Sequence, residues 1–225
     1  MVEPPSYPRV PHLVLDRGSN DDVLLDTKEI AALLRRPLLV EEKLDGANVV
    51  VWADGGVIEC ALRSGLDGMD RGRQLGPLRA WIAERYDALA TAMSGVRAVY
   101  AEWLLLTHTV AYDRLDSYLV VLDVLSADGA FAAPAARDEW AASAGLVTPP
   151  ALHRGSSEGI ADLERLLGES RVGHFPMEGI AVRTLDGSAP RVAKLVRPGF
   201  RPIGKDEWRQ GRPHNQLRER ELSWH

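Results

Sequence analysis

The spacing of apolar residues along the chain predicts a mixture of helices and strands. Apolar side chains recur at intervals of three and four between Leu75 and Met93, which is the period of one face of an amphipathic α-helix. Short apolar or β-branched runs bounded by turn residues predict strands instead. The predicted strands cover residues 38–42, 49–52, 57–63, 96–105, 117–125, 180–183 and 191–196.

Turn and capping residues set the limits of these elements. Asp26 or Thr27 can cap a short helix that runs to Leu34, and Asp54-Gly55-Gly56 supplies the turn of a hairpin. Further helices are predicted after Pro134, ending at Gly145, and over residues 160–167. Strands and helices do not alternate regularly. The predicted fold class is therefore α+β, with largely antiparallel sheets flanked by helices.

The composition is that of an ordinary globular protein. With 225 residues, of which 45% are hydrophobic and 26% charged, the chain is long enough for one compact domain with a substantial core. No apolar run is long enough to cross a bilayer. Residues 1–11 lack the basic start and apolar stretch of a secretory signal. We therefore expect a cytoplasmic protein without a membrane partner.

Charge is distributed unevenly along the chain. The formal net charge is -5, yet residues 191–220 hold nine Lys or Arg against three Asp or Glu. A basic segment on an acidic body fits a phosphate-rich partner such as nucleic acid, and a solvated charged surface is an equally good explanation. The single cysteine, Cys60, lies in an apolar stretch. We expect it to be buried, since it has no partner for an intramolecular disulfide.

Lys43-Leu44-Asp45-Gly46 is the strongest local motif. It follows one predicted strand directly and precedes a β-forming run, so a tight turn between two strands would hold the lysine on a rigid edge. A lysine before Asp-Gly is usually a solvated turn residue, and the motif alone does not establish a site. The motifs that follow it decide its meaning.

Five further motifs follow in a fixed order. They are Leu62-Arg63-Ser64-Gly65, Tyr100-Ala101-Glu102-Trp103, the apolar run 118–124 with Asp123, Glu178-Gly179-Ile180-Ala181-Val182-Arg183, and Ala193-Lys194-Leu195-Val196-Arg197. Together with the lysine motif they resemble the superfamily of ATP-dependent DNA ligases, RNA ligases and mRNA capping enzymes. Each residue alone has an ordinary structural explanation, and their joint order favours function. The resemblance covers residues 38–200.

The resemblance implies a fold and a division of the chain. It implies a nucleotidyltransferase (adenylation) domain of ligase type at residues 38–200, after an N-terminal segment with a short helix at residues 1–37. A short basic C-terminal tail follows at residues 201–225. The tail is too short for the C-terminal oligonucleotide-binding (OB) domain of DNA ligases, so none is expected. We expect its first residues to lie beside the site and the rest to extend along a bound strand.

The resemblance also implies a chemistry. Lys43 would attack the α-phosphorus of ATP and take the AMP, which would pass to a nucleic acid 5′-phosphate and then be displaced by a 3′-hydroxyl. The attacking amine must be neutral, and we expect the cations Lys194 and Arg197 and partial desolvation to favour that form. Mg²⁺ prefers hard oxygen ligands, for which Glu178 and Asp45 are the candidates.

These roles define the candidate site. The predicted catalytic residues are Lys43, Asp45 and Lys194. The predicted nucleotide-binding residues are Glu42, Lys43, Arg63, Glu102, Glu178, Lys194 and Arg197. The implied cofactors are ATP and Mg²⁺. The implied partners are nucleic acid ends, with a protein partner for substrate grip as a further option, and the oligomeric state is left undetermined.

One position favours RNA over DNA as the substrate. DNA ligases and capping enzymes usually place an arginine two residues after the motif glycine, whereas Asn48 stands there in this chain, as in RNA ligases. Two alternatives remain, a DNA ligase or capping-type nucleotidyltransferase and a non-catalytic nucleotide-binding module. Leu122 occupies a place where a base-stacking aromatic is common in the superfamily. The histidines lack metal-ligand spacing and are interpreted as structural, namely His12, His108, His153 and His174.

Overall fold

The computed structural model describes residues 5–14, 23–63, 68–189, 191–204, 207–208 and 211–219. Its elements are α1 (Thr27–Leu34), β1 (Leu38–Lys43), β2 (Ala47–Asp54), β3 (Val57–Leu62), α2 (Gly68–Glu84), α3 (Tyr86–Ala92), β4 (Val96–Trp103), β5 (Leu119–Ser126), α4 (Pro134–Ser143), β6 (Ala151–Gly155), α5 (Ile160–Glu164), β7 (Gly179–Thr184) and β8 (Val192–Val196). Three residues of the basic segment and part of the arginine motif lie outside the described residues, namely Lys205, Arg209, Arg220, Ser64 and Gly65.

The eight strands form two antiparallel sheets. The first sheet has the order β6-β1-β7-β8, and the second sheet has the order β3-β2-β4-β5. This arrangement confirms the predicted α+β class with antiparallel sheets. Every strand of the described ranges belongs to one of these sheets, so those ranges contain no separate barrel of the OB type. None of the described helices is long and apolar enough to cross a membrane.

Each sheet buries one face under helices. Leu38 and Val40 of β1 pack with residues of α1 and α5, and Val49 and Val51 of β2 pack with residues of α2, α3 and α4. Because side chains alternate along a strand, the intervening residues of both sheets face each other across a cleft. The fold therefore leaves one face of each sheet for polar side chains.

Most predicted elements are confirmed, and the differences have local causes. The helix predicted between Leu75 and Met93 is two helices, because Arg85 leaves helical geometry with φ -114° and ψ 15°. Its guanidinium packs 4.3 Å from the centre of the Trp81 ring. Asp26 caps α1 by accepting hydrogen bonds from two backbone N–H groups, as predicted. Cys60 is a free, buried cysteine, also as predicted.

Two further differences concern β6 and α5. Strand β6 was not predicted, since its sequence carries a histidine, an arginine and a glycine in place of a β-branched run. The strand is stabilised by its hydrogen bonds to β1 and not by the β-forming tendency of its own residues. Helix α5 ends at Glu164, three residues before the predicted end. Neither difference moves a strand that lines the cleft.

A buried ionic network joins the two sheets. Arg183 of β7 donates from Nε to Glu41 Oε2 of β1 at 2.8 Å and from Nη1 to both carboxylate oxygens of Asp123, in β5 of the second sheet, at 3.0 Å. Arg137 of α4 donates to both oxygens of Glu41 at 3.0 and 2.6 Å. Burial alone would raise the pKa of Asp123, but Arg183 and Arg191 hold it below its usual range. The network sets how far apart the sheets lie.

Replacing Glu41 with alanine tests the role of this network. We expect Glu41→Ala to lower the free energy of unfolding by about 3–5 kcal/mol, because Arg137 and Arg183 would remain buried without their carboxylate. Urea denaturation measures the change. Arg165→Ala is the matched control, since it removes only the exposed pair with Asp162 and should cost less than about 1 kcal/mol. Equal losses in the two variants would contradict a special role for Glu41.

Candidate active site

Lys43 and Glu178 form an ion pair at the point of the first sheet where β1 ends and β7 begins. Lys43 is the last residue of β1 and pairs with Gly179, the first residue of β7. Glu178 directly precedes that glycine, and Lys43 Nζ donates to Glu178 Oε2 at 2.6 Å. A Cβ atom on Gly179 would lie 2.3 Å from the Leu195 carbonyl oxygen, so only glycine allows this approach of β7 to β8. The pairing of the strands therefore brings the two motifs together.

Lys43 of this ion pair lines a cleft of about 770 Å³ between the sheets. Alternate residues of four strands line it: Asn48 and Val50 of β2, Tyr100 and Glu102 of β4, Ala181 and Arg183 of β7, and Val192 and Lys194 of β8. Lys43, Arg63 and His108 also line the cleft. Because every second side chain of a strand points to the same face, residues from separate sequence motifs lie on one surface of the cleft.

Glu102 connects the motif turn to the second sheet. Its Oε1 accepts a hydrogen bond from the Gly46 backbone N–H at 3.0 Å, and its Oε2 accepts one from Asn48 Nδ2 at 3.4 Å. A Cβ atom on Gly46 would lie 2.7 Å from the Trp103 carbonyl oxygen, which explains the glycine of the motif. Burial raises the pKa of Glu102 to about 7, although Lys43 opposes the shift.

Asp45 is engaged with a loop of the body. Its Oδ2 accepts hydrogen bonds from the backbone N–H groups of Thr109 at 2.7 Å and Val110 at 2.8 Å. Its own backbone N–H donates to the Tyr112 hydroxyl at 2.7 Å. The aspartate of the motif therefore holds the turn after Lys43 against the loop of residues 104–112.

The C-terminal segment 211–219 holds the same loop from the other side. Asn215 is buried, and its Oδ1 accepts from Thr107 Oγ1 at 2.8 Å and from the Tyr112 backbone N–H at 2.9 Å. Its Nδ2 donates to the Leu104 carbonyl oxygen at 2.7 Å. Arg212 Nε donates to the Thr107 carbonyl oxygen at 2.9 Å. These described residues are therefore packed against the body, and their contact with a bound strand stays a prediction.

The sequence matches the family model described as RNA ligase over residues 36–196. This match covers most of the chain. The chain belongs to the RNA ligase family. Comparison with curated proteins finds no match.

Solved structures of Naegleria gruberi RNA ligase are similar to this family member. An alanine variant of that ligase with ATP and Mn has 15% sequence identity and a TM-score of 0.57, covering 86% of this chain and 62% of that chain. The form with PPi has 15% identity and a TM-score of 0.55, covering 86% and 61%. A methionine variant with AMP and Mn has 15% identity and a TM-score of 0.51, covering 86% and 61%. At this identity the likeness concerns the fold, and this RNA ligase family member spans about three fifths of the length of those chains.

The charge around Lys43 differs from the sequence expectation. Desolvation alone would lower the pKa of Lys43, but the carboxylates of Glu178, Glu102 and Asp45 outweigh it and raise that pKa. The expectation that cationic neighbours keep the amine neutral is therefore wrong for the protein without ligands. Burial likewise raises the pKa of Glu178, which Lys43 only partly offsets. The site holds more acidic than basic groups close to the lysine.

Two predicted nucleotide-binding residues lie away from the cleft. Glu42 faces the opposite side of β1, where its Oε1 accepts from Ser170 Oγ at 2.6 Å and its Oε2 accepts from the Arg171 backbone N–H at 2.7 Å. The Arg197 guanidinium lies 5.2 Å from the centre of the Phe200 ring. Neither residue is among the described residues that line the cleft.

Lys194 and Arg63 both line the cleft. The backbone of Lys194 in β8 donates to the Pro11 carbonyl oxygen and accepts from the Leu13 N–H, both at 2.8 Å. These bonds attach the N-terminal segment to the edge of the first sheet. The Arg63 guanidinium lies 5.7 Å from the centre of the Tyr7 ring. Tyr7 itself lines the cleft, and no sequence motif indicated it.

His108 is the one histidine of the four that the structure places in the cleft. Its ring packs against Trp208 with 4.5 Å between ring centres, and its Nε2 lies 3.3 Å from Gln74 Nε2. Burial lowers its pKa, which keeps the ring neutral near pH 7. Among the described residues, no group of three or more His, Cys, Asp or Glu side chains could hold a metal ion. This part of the chain therefore holds no ready-made metal site built from such side chains.

Replacing Asn215 with alanine should loosen the loop that Asp45 binds. We expect amide hydrogen exchange at Thr109 and Val110 to become at least about tenfold faster, because buried partners of Asn215 lose their hydrogen bonds. Mass spectrometry or NMR measures the rates, with amides of α1 as the internal reference. Gln216→Ala, at an exposed neighbouring position, should leave them unchanged. Unchanged exchange in Asn215→Ala would contradict the role of the C-terminal segment.

Replacing Glu178 with glutamine should lower the pKa of Lys43, because one of the carboxylates that raise it loses its charge. At pH 9 the neutral fraction of the amine would then increase, and labelling by an amine-specific acylating reagent should become several-fold faster. Peptide mass spectrometry measures the rate at Lys43 relative to the exposed Lys28. Glu42→Gln is the matched control, since that carboxylate faces the other side of β1. Equal labelling in the two variants would contradict the electrostatic explanation.

Proposed function

We propose that this protein is an ATP-dependent RNA ligase that forms a lysyl-AMP intermediate on Lys43. The observation that carries the proposal is the position of Lys43, which pairs with Glu178 and lines a cleft that Arg63, Glu102 and Lys194 also line. These residues come from five separate motifs, and a purely structural explanation does not account for their convergence on one cleft and its lysine. Family membership supports the same conclusion.

ATP is the proposed nucleotide. The similar structures of Naegleria gruberi RNA ligase are described with ATP and Mn, with AMP and Mn, and with PPi, and those ligands support a nucleotide and a divalent cation here. The cleft has room for a nucleotide between the sheets. As the superfamily resemblance implies, Arg63 and Glu102 would hold the ribose and phosphate of the nucleotide, and Lys194 would offset charge on the α-phosphate.

The acidic groups beside Lys43 offer two carboxylates to a bound Mg²⁺. Glu178 and Asp45 are the proposed ligands, although Asp45 Oδ2 already accepts two backbone N–H groups. Mg²⁺ usually keeps several waters and takes one or two carboxylates plus substrate phosphates, so a sparse protein site is sufficient. When bound, Mg²⁺ supplies positive charge beside the α-phosphate and against the carboxylates that raise the pKa of Lys43.

The first reaction step is a displacement at phosphorus. The Lys43 ammonium would pass a proton to Glu178, the carboxylate to which it donates, and its nitrogen lone pair would then form a bond to the α-phosphorus while the bond to the bridging oxygen of the β-phosphate breaks. Pyrophosphate leaves with the electron pair of that bond. The rigid end of β1 fixes the direction of the amine, and the positive charge of Lys194 would offset the charge on the phosphates.

RNA is the proposed acceptor of the AMP. Asn48 lies in the cleft and is paired with Glu102 across β2 and β4, and asparagine at this place resembles RNA ligases. AMP would pass to a 5′-phosphate on an RNA end, and a 3′-hydroxyl would displace it to seal the strand. The body of the protein or a protein partner would hold the two RNA ends.

Incubation with radiolabelled ATP and Mg²⁺ tests the first step. The wild-type chain should gain one AMP, whereas Lys43→Ala and Lys43→Arg should lose at least about a thousandfold in labelling rate, since neither offers a neutral amine. The control Lys28→Ala, at an exposed position, should label normally. Labelling of Lys43→Ala would overturn the assignment of the nucleophile.

The second part of the experiment tests the substrate. Purified protein is offered 5′-phosphorylated nicks and single strands, in RNA and in DNA, with ATP and Mg²⁺. Joining of RNA ends is expected. Joining of DNA ends alone would overturn the RNA assignment, and AMP transfer without any joining would show that the chain by itself is not a complete ligase.

A further inference from the structure

The N-terminal segment forms one side of the cleft. Its lining residues are Pro5, Ser6, Tyr7, Arg9 and Val10. All of them precede the region that matches the RNA ligase family, which begins at residue 36. The segment is attached to the first sheet by the hydrogen bonds of Pro11 and Leu13 with Lys194. It therefore has a defined place beside a predicted catalytic residue.

Tyr7 is the aromatic residue of this segment, and it is held on several sides. Its ring stacks on Tyr100 with 4.5 Å between ring centres and an interplanar angle of 26°, and it meets Phe131 edge-on. Its hydroxyl donates to Asp123, the carboxylate that Arg183 also binds. Burial raises the pKa of Tyr7, so the hydroxyl keeps its proton. The ring is therefore fixed in one orientation before any ligand binds.

Strand register places Tyr7 at a distance from Lys43 along the cleft. Lys43 pairs with Gly179, and Arg183 lies four residues further along β7, which is about 13 Å at the usual rise of a strand. Tyr7 lies at this far end, since it shares Asp123 with Arg183. With the α-phosphate at Lys43, the ribose and then the base of a nucleotide would extend in this direction.

The far end is also suited to a planar, weakly polar group. Val50, Leu122 and Val192 line the cleft there together with Tyr100. Leu122 stands where an aromatic would be expected to stack on the base, and the chain has another aromatic side chain nearby in Tyr7. One face of the Tyr7 ring is covered by Tyr100, and the Arg63 guanidinium lies 5.7 Å from the ring centre, so a base would contact the part of the ring that borders the cleft. Contact of a base with an aromatic ring depends little on the hydrogen-bonding groups of the base.

We propose that Tyr7 is a positioning residue for the nucleotide base, and that the N-terminal segment is a working part of the nucleotide site. The inference rests on the proposed function for the identity of the ligand. The Tyr7 ring forms the wall against which the base of ATP binds, and its hydroxyl bond to Asp123 fixes that wall to the ionic network between the sheets. The phosphates lie beyond its reach, near Lys43 and Lys194.

This division between base and phosphates gives a direct test. Calorimetry measures the binding of ATP and of inorganic triphosphate, with Mg²⁺, to the full chain carrying Lys43→Ala, which prevents turnover. Adding Tyr7→Ala should weaken ATP binding roughly tenfold and leave triphosphate binding within about twofold. Adding Tyr7→Phe, which keeps the ring, should leave ATP affinity close to that of the background protein.

Tyr86→Ala is the matched control, because the Tyr86 hydroxyl donates to the Gly56 carbonyl oxygen and the side chain does not line the cleft. It should change neither affinity. Unchanged ATP affinity in Tyr7→Ala would overturn the inference, and so would equal weakening of both ligands, which would show a general loss of structure. Tighter ATP binding would also overturn it, since the segment would then be a cover that competes with the nucleotide.

The two proposals fail in different ways. If the wild-type chain gains AMP but Tyr7→Ala binds ATP normally, the proposed function stands and the role of Tyr7 is wrong. If the background protein binds ATP through Tyr7 but the wild-type chain never gains AMP, the base wall stands and the ligase activity is wrong. Absence of any ATP binding to the background protein would overturn both.

Discussion

The cleft depends on one buried arginine. Arg183 connects Glu41 of the first sheet with Asp123 of the second, and no apolar contact could hold two polar sheet faces at a fixed separation in the same way. A buried charge is stable only with good geometry and complete pairing, so this arrangement restricts its neighbours strongly. Arg137 satisfies the rest of Glu41, and Tyr7 adds a donor to Asp123. The separation of the two sheets is therefore maintained by buried ion pairs.

The arrangement of the strand ends also explains the protonation state of Lys43. The strand ends that bring motifs together also bring three carboxylates to one amine, and the amine is consequently held as an ammonium ion. Such a lysine is a poor nucleophile until opposing positive charge enters the cleft. The proposed reaction at Lys43 is thus coupled to what binds beside the amine.

Prediction from sequence succeeded where the chain carries local periodicity. Strand alternation and motif order were sufficient to predict that Lys43 and Glu178 lie close together in the fold. The role of Asp45 could not be predicted, because its partners lie in a loop more than sixty positions away. Tyr7 and Asn215 belong to no motif, and their importance comes from burial and hydrogen bonds that exist only in the folded chain. Strand β6 was missed for a similar reason, since its order comes from pairing with β1.

The position of Asn215 in the chain also has a consequence for biosynthesis. Asn215 is 108 residues after Thr107, the loop residue that it binds. At roughly 5–20 residues per second, the ribosome needs about 5–20 s to make that interval, during which the loop lacks its partner. A nascent chain therefore displays the lysine motif well before the support of the loop exists. The loop that Asp45 binds gains its full set of hydrogen bonds only after residues 211–219 have emerged and docked.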